Sequence, residues 1–394
     1  MADYCVKGFK TAGRASGIKP DQKKDLGLIV SDCPASVAGV FTRNQIQAAP
    51  VILDRERIAG GVGRALIVNS GIANCCTGKP GMKDAIAVSK MAAASLRIIP
   101  DQVLVASTGV IGPRLPMEKI EAAVPELVAE ARPTGFADFA EAIMTTDTVP
   151  KLVTRQAFLG KIPFTVTGVA KGSGMIHPDM ATLLAFICTD MGATAQQLQG
   201  ILKTGVDETL NRMTIDGDTS TNDTTLLFAN GRSGAALDDK KSEALFNEVV
   251  RDVLGELAEK LVEDGEGATK RIQITVRGAR SEAAAHVVAN TIAGSALVKT
   301  AFFGEDANWG RVVAAVGRAG VPIEPERLEV FFGDVLVFAG GGATAAAEDG
   351  RVAAILQRPH CTIIVDLGMG PAEVSVYTCD LSVEYVKINA DYRT

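Results

Sequence analysis

A chain of 394 residues, 47% apolar and 22% charged, is long enough for two domains with sizeable buried cores. Its net charge of -6 leaves no basic footprint for nucleic acid, and no apolar run approaches the roughly 20 residues a membrane span needs. Seven cysteines without a CxxC pair, and first residues without a secretory apolar region, point to reduced thiols and a cytoplasmic location.

In chain order, Ala65 to Val68 reads as a short buried strand closed by the turn-like Asn69-Ser70-Gly71. Asp84 to Leu96 is helix-forming, and Pro100 stops it. Val103 to Val105 is a strand leading into Ser107-Thr108-Gly109, and Phe164 to Val169 is the strand before a Gly-rich segment. Leu183 to Cys188 has the length of a buried strand. Thr194 and Gln197 form a capping box ahead of Leu198, Ile201 and Leu202. Leu245, Val249, Val250, Val253, Leu257 and Leu261 recur at helical spacing. Ile272, Ile274 and Val276 alternate as a half-buried strand does. Leu328 to Phe338, Thr362 to Val365 and Val374 to Tyr377 read as strands, and Ala343 to Leu356 as a helix.

Strands and helices are mixed without regular β-α-β spacing, which predicts a mixed α/β (α+β) protein rather than a barrel. The polar stretch Gly278-Ala279-Arg280-Ser281 sets an expected boundary between domains 1–280 and 281–394.

The segment Lys171-Gly172-Ser173-Gly174-Met175-Ile176-His177-Pro178-Asp179-Met180-Ala181-Thr182 runs directly into the apolar strand. Thr182 thus stands where a loop becomes a strand, with its hydroxyl one peptide unit from the Ala181 carbonyl. A hydroxyl there can attack that carbonyl, shift the chain from N to O, and let water release a new amino terminus. An α-amine has a reference pKa of roughly 7.7–8.0, so much of it is neutral near pH 7–8. The freed Thr182 amine could then act as general base for its own hydroxyl. Taken alone, an Ala-Thr pair is most simply an ordinary loop-to-strand threonine. Thr108-Gly109 equally reads as a tight turn, although flexible glycines also let backbone N–H groups point into a cavity.

The wider pattern changes that balance. The chain carries Gly8-Phe9-Lys10, Ile29-Val30-Ser31-Asp32, Ala38 to Thr42, Ala106 to Gly112 and Ile143 to Thr148. Beyond the Lys171–Phe186 segment come Asp216 to Asp223, Asp264 to Ala268, Asn308-Trp309-Gly310-Arg311 and Asn389 to Thr394. With these ordered blocks the chain resembles the ornithine acetyltransferase (glutamate N-acetyltransferase) family of arginine biosynthesis over nearly its whole length.

The resemblance implies a layered αββα-type core, related in logic to N-terminal-nucleophile enzymes, with a smaller C-terminal α/β domain whose tail returns to the active site. It implies self-cleavage between Ala181 and Thr182 into chains 1–181 and 182–394, and an assembly of two copies of each. Thr182 would be the nucleophile, and Thr108 and Gly109 the oxyanion pair. Thr145, Lys171, Glu266, Asn389 and Thr394 would contact substrate: Lys171 a carboxylate, Glu266 an amine, and Thr394 by folding the chain end back. The implied reaction passes an acetyl group from N2-acetylornithine to glutamate through an acetyl-threonine. No cofactor is implied, and acetyl-CoA is open as a second donor in bifunctional members. His177, Asp179 and Ile72 depart from the familiar family pattern.

Other candidates are weaker. Asp216, Asp218 and Asp223 lack a calcium-loop spacing and read as hydrogen-bonding loop residues. His177, His286 and His360 show no metal-ligand spacing. Gly340-Gly341-Gly342 precedes an alanine-rich stretch but lacks a nucleotide fingerprint, so a turn is the simpler reading. Two rival functions remain to be distinguished: an amidohydrolase or aminopeptidase passing the acyl group to water, and a non-catalytic metabolite-binding protein.

Overall fold

The computed structural model describes residues 4–177, 183–348 and 350–391. The described residues form two compact units, one within 4–211 and 218–261 and the other within 212–217 and 262–391.

The first unit contains β1 (Phe9–Arg14), β2 (Leu26–Phe41), α1 (Ala49–Arg57), β3 (Val62–Ile72), α2 (Gly78–Leu96), β4 (Val103–Val110), α3 (Met117–Ala129) and α4 (Phe136–Ile143). It continues with β5 (Lys151–Leu159), β6 (Ile162–Lys171), β7 (Leu184–Thr189), α5 (Ala195–Glu208), β8 (Thr224–Ala229) and most of α6 (Lys240–Glu263). Among the described residues its strands form one sheet in the order β4-β3-β2-β8-β7-β6-β5, with β1 also paired to β2. The β3–β4 and β7–β8 pairs are parallel.

Both faces of this sheet are covered, so its central strands are apolar without alternation. Ala65 and Ile67 of β3 pack with Val88 and Ala92 of α2 and Ile120, Val124 and Leu127 of α3. Their neighbours Leu66 and Val68 belong to the opposite face, with Phe136, Phe139 and Ile143 of α4 and Phe186 and Phe228. α6 lies close on β6, since a Cβ on Gly168 would come 2.7 Å from Val253.

Local chemistry sets the helix ends. The Thr194–Gln197 capping box opens α5 as expected, a device whose loss costs about 1 kcal/mol. α2 ends on Arg97 in the left-handed region, with Pro100 just beyond.

The second unit contains β9 (Arg271–Ala279), α7 (Glu282–Ala293), α8 (Ala296–Phe303), α9 (Trp309–Gly317), β10 (Glu329–Phe332), β11 (Val335–Ala339) and β12 (Gly342–Ala343). α10 (Gly350–Leu356), β13 (His360–Asp366), β14 (Ala372–Cys379) and α11 (Val383–Asp391) complete it. Its sheet runs β12-β11-β10-β13-β9-β14, and Ile272, Ile274 and Val276 of β9 pack with Val288 and Ile292 of α7 and Val312 and Val316 of α9. The segment 212–217 joins this unit through the Thr214 amide, which donates to the Tyr377 carbonyl at 2.9 Å.

The mixed α/β class agrees with expectation. The 280 boundary falls behind β9, which pairs with β13 and β14 inside the second unit. The helix expected over Ala343 to Leu356 is shorter: Gly342 and Ala343 pair with β11, and α10 begins only at Gly350. Gly340 and Gly341 make that hairpin turn in the left-handed region and open no helix, which removes the structural basis of the nucleotide reading. Among the described residues no helix is long and apolar enough to cross a membrane.

Candidate functional site

The first component lies at the exit of β4. Gly109 has a φ of +126°, and a Cβ on it would stand 2.2 Å from the Gly71 carbonyl carbon of β3, so only glycine fits. The Ser107 hydroxyl donates to Asn69 at 2.6 Å, and the Asn69 amide donates to the Ile72 carbonyl at 2.8 Å. Thr108 is thereby held on a fixed strand end.

The second component is a lysine cluster where β6 ends. Lys171 Nζ donates to the Thr145 hydroxyl at 2.9 Å and to the Thr108 hydroxyl at 3.3 Å. Asp147 anchors the group. Its carboxylate accepts from Lys151 Nζ at 2.7 Å, from the Gly172 amide at 2.7 Å and from the Thr145 amide at 2.9 Å, and it lies 3.9 Å from Lys171 Nζ. Burial alone would favour the neutral acid, but the charges of Lys171 and Lys151, with the hydrogen bonds from Lys151 and Thr145, hold Asp147 well below the usual carboxylate range. Asp147 and Lys151 are both buried, so the pair fixes position at the expense of desolvation.

The third component is the turn entering β8. The Asn222 amide donates to the carbonyls of Ala73 and Ser107, both at 2.7 Å, tying this turn to the exit of β4. Thr108, Lys171, Leu183, Leu184, Ser220, Asn222 and Asp223 line one cleft. Asp223 is buried, and among the described residues neither of its carboxyl oxygens has a hydrogen-bond partner. Burial pushes its pKa well above the ordinary carboxylate range.

Of the residues singled out from sequence, Thr108, Thr145 and Lys171 meet directly, with Gly109 next to Thr108 in the chain. Glu266 and Asn389 form a second pair within the other unit, where Asn389 Nδ2 donates to Glu266 Oε2 at 2.8 Å. Ala181, Thr182, Asp179 and Thr394 lie outside the described residues. Leu183, the residue after Thr182, lines the cleft.

Sequence reasoning assigned no role to Asp147, and it took the stretch holding Asn222 and Asp223 for a loop of hydrogen-bonding side chains, which Asn222 is. The structure instead buries Asp223 at the head of a central strand. A usable signal was present: Asp223 directly precedes the apolar run Thr224–Ala229, where an acidic side chain is costly to bury. Among the described residues no group of three His, Cys, Asp or Glu side chains is placed to hold a metal ion.

Hydroxyl, ammonium and a buried carboxyl held away from water at strand ends suit an acyl-transfer enzyme, whose transition state needs fixed donors where charge develops. The ArgJ family model matches residues 10–394, and the chain belongs to that family. It is 48% identical over 391 residues to the arginine biosynthesis bifunctional protein ArgJ of Geobacter sulfurreducens, covering 99% of this chain and 100% of that protein. Its counterpart of the same name from Rhizobium meliloti is 44% identical over 395 residues, covering 99% and 96%. Among solved structures it is similar to the ornithine acetyltransferase complexed with ornithine from Mycobacterium tuberculosis. That match is 42% identical, covers 46% of this chain and 95% of that one, and has a TM-score of 0.43.

Proposed function

We propose that this chain transfers an acetyl group from N2-acetylornithine to glutamate, giving ornithine and N-acetylglutamate in arginine biosynthesis. The observation that carries this reading is the meeting of Thr108 and Thr145 on Lys171, whose cleft, shared with Thr108, is also lined by Leu183, the residue that follows Thr182. Membership of the ArgJ family over nearly the whole chain supports the same activity.

In this mechanism the precursor cleaves itself between Ala181 and Thr182. The Thr182 amine takes the proton of its own hydroxyl, which attacks the acetyl carbonyl. Thr108 and Gly109 stabilise the tetrahedral oxyanion, a contribution worth about 10²–10³ in rate per donor in comparable sites. Ornithine leaves, and glutamate collects the acetyl group from the threonine ester. Lys171, oriented by Thr145 and Asp147, is suited to a substrate carboxylate, and Glu266 with Asn389 to a substrate amine. Acetyl-CoA as a second donor is in keeping with the bifunctional name of the relatives. Two copies of each fragment would form the working assembly.

The test supplies N2-acetylornithine and glutamate together to freshly purified protein, whose mass and amino termini are read in parallel. Fragments meeting at Ala181/Thr182 and formation of N-acetylglutamate are expected. Acetate without N-acetylglutamate would replace the transferase by a hydrolase, and an uncleaved chain without turnover would leave only a binding protein.

A further inference from the structure

Two buried carboxyls of opposite character feel the charge of Lys171, and the reaction set out above uses only one of them. Asp147 is ionised, tied to Lys151 and two backbone amides. Asp223 is 3% exposed and has no hydrogen-bond partner for either carboxyl oxygen among the described residues.

Leaving a buried polar group unpaired costs about 1–3 kcal/mol, a cost that an apolar residue at the head of β8 would avoid. Burial raises the pKa of Asp223 well above the ordinary carboxylate range, against the opposing pull of the Lys171 charge. Two titratable groups driven apart by their surroundings mark an acid–base division of labour. Asp223 lines the same cleft as Thr108 and Lys171.

We propose that Asp223 carries the proton of the substrate amine, giving it to the leaving nitrogen in the first half-reaction and taking one from the incoming amine in the second. This rests on the acetyl-transfer reading. As the C–N bond of the acetylated amine breaks, its electron pair goes to nitrogen, and the Asp223 proton follows. The resulting carboxylate is stabilised by Lys171. Glutamate sheds one ammonium proton to solvent, matching the proton that ornithine takes up from solvent on leaving, and attacks the ester as its neutral amine. As the new C–N bond forms, the proton lost by its nitrogen passes to Asp223, the C–O bond to Thr182 breaks, and the Thr182 ammonium returns to the hydroxyl oxygen the proton it took. Both groups end in their starting protonation states, and proton and electron counts close over the two halves.

The experiment compares two acetyl donors. N2-acetylornithine must release an amine that needs a proton, whereas p-nitrophenyl acetate releases a stable phenolate that does not. For Asp223→Asn, transfer from N2-acetylornithine should fall about 100-fold or more, and the loss with the ester donor should be at least about 10-fold smaller. Asp223→Glu keeps an acid in a displaced position. It should show the same imbalance to a lesser degree, and it carries the comparison should the Asn variant remain uncleaved. Equal losses with both donors would mean that Asp223 only shapes the cleft, and no loss with either would make it idle; each overturns the proposal. Failure of the unmutated protein to form N-acetylglutamate would instead overturn the transferase reading itself.

Discussion

Lys171 and Leu184 are register partners across β6 and β7. The chain therefore leaves the sheet at the lysine of the cleft and re-enters it at a residue lining the same cleft. Thr182 stands two residues before that re-entry. Thr182→Ala should yield an uncleaved, inactive precursor, because the only proposed nucleophile is gone. Thr182→Ser should cleave and keep part of the activity. Intact-mass measurement with an acetyl-transfer assay checks both, and turnover by the alanine variant would reject the mechanism.

A free α-amine acting as base imposes a pH profile. Activity should rise as the amine deprotonates, with a midpoint of roughly pH 7–8 if its pKa is near the reference value. Initial rates measured from pH 6 to 9 at saturating substrate give the curve. A flat profile would assign the base role to another group.

Asp147 links stability to acid. Its folded pKa is depressed, so its contribution is complete above the ordinary carboxylate range near pH 4 and is lost as pH falls toward the lower folded value. Asp147→Asn would leave Lys151 buried without its 2.7 Å partner, which should destabilise the first unit by about 3–5 kcal/mol at neutral pH. The variant should also lose part of the acid-dependent fall in stability. Urea denaturation of both proteins at pH 3 to 7 tests this, and parallel curves would show that the pair is not linked to folding.

Gly109→Ala adds a methyl group where a Cβ would meet the Gly71 carbonyl carbon at 2.2 Å, at a φ that alanine rarely adopts. The exit of β4 must then shift, carrying Thr108 away from Lys171. Loss of self-cleavage or a fall in kcat of at least about 10-fold is expected, on the magnitude of one misplaced oxyanion donor. Thr194→Ala is the control. It should cost about 1 kcal/mol of stability through its lost helix cap and leave kcat within twofold.

The regular elements with a single dominant period were legible from sequence: β9 by alternation, α6 by helical spacing and α5 by its capping box. β2 was not. Its register breaks between Val30 and Ala35, and Pro34 interrupts what is one strand in space. Thr108, Gly109, Thr145 and Lys171 were singled out because family blocks surround them, while local pattern alone favoured a turn at Thr108-Gly109. Asp147 and Asp223 were harder to find. Their roles depend on what burial and distant lysines do to a carboxyl, and neither effect has a sequence period.

The order of strands gives the cleavage a mechanical meaning. A cut before Thr182 assigns β1 to β6 of this sheet to one fragment and β7 and β8 to the other. The second fragment's strands then lie as an inlay between β2 and β6 of the first, bonded to both. Breaking one peptide bond thus leaves the two pieces clasped by two strand ladders, and neither can depart without dismantling the sheet. Once unfolded, however, the pieces must find each other in solution, and recovery becomes second order in protein concentration. Maturation would turn a chain that can fold alone into a molecule that holds together well but reassembles poorly.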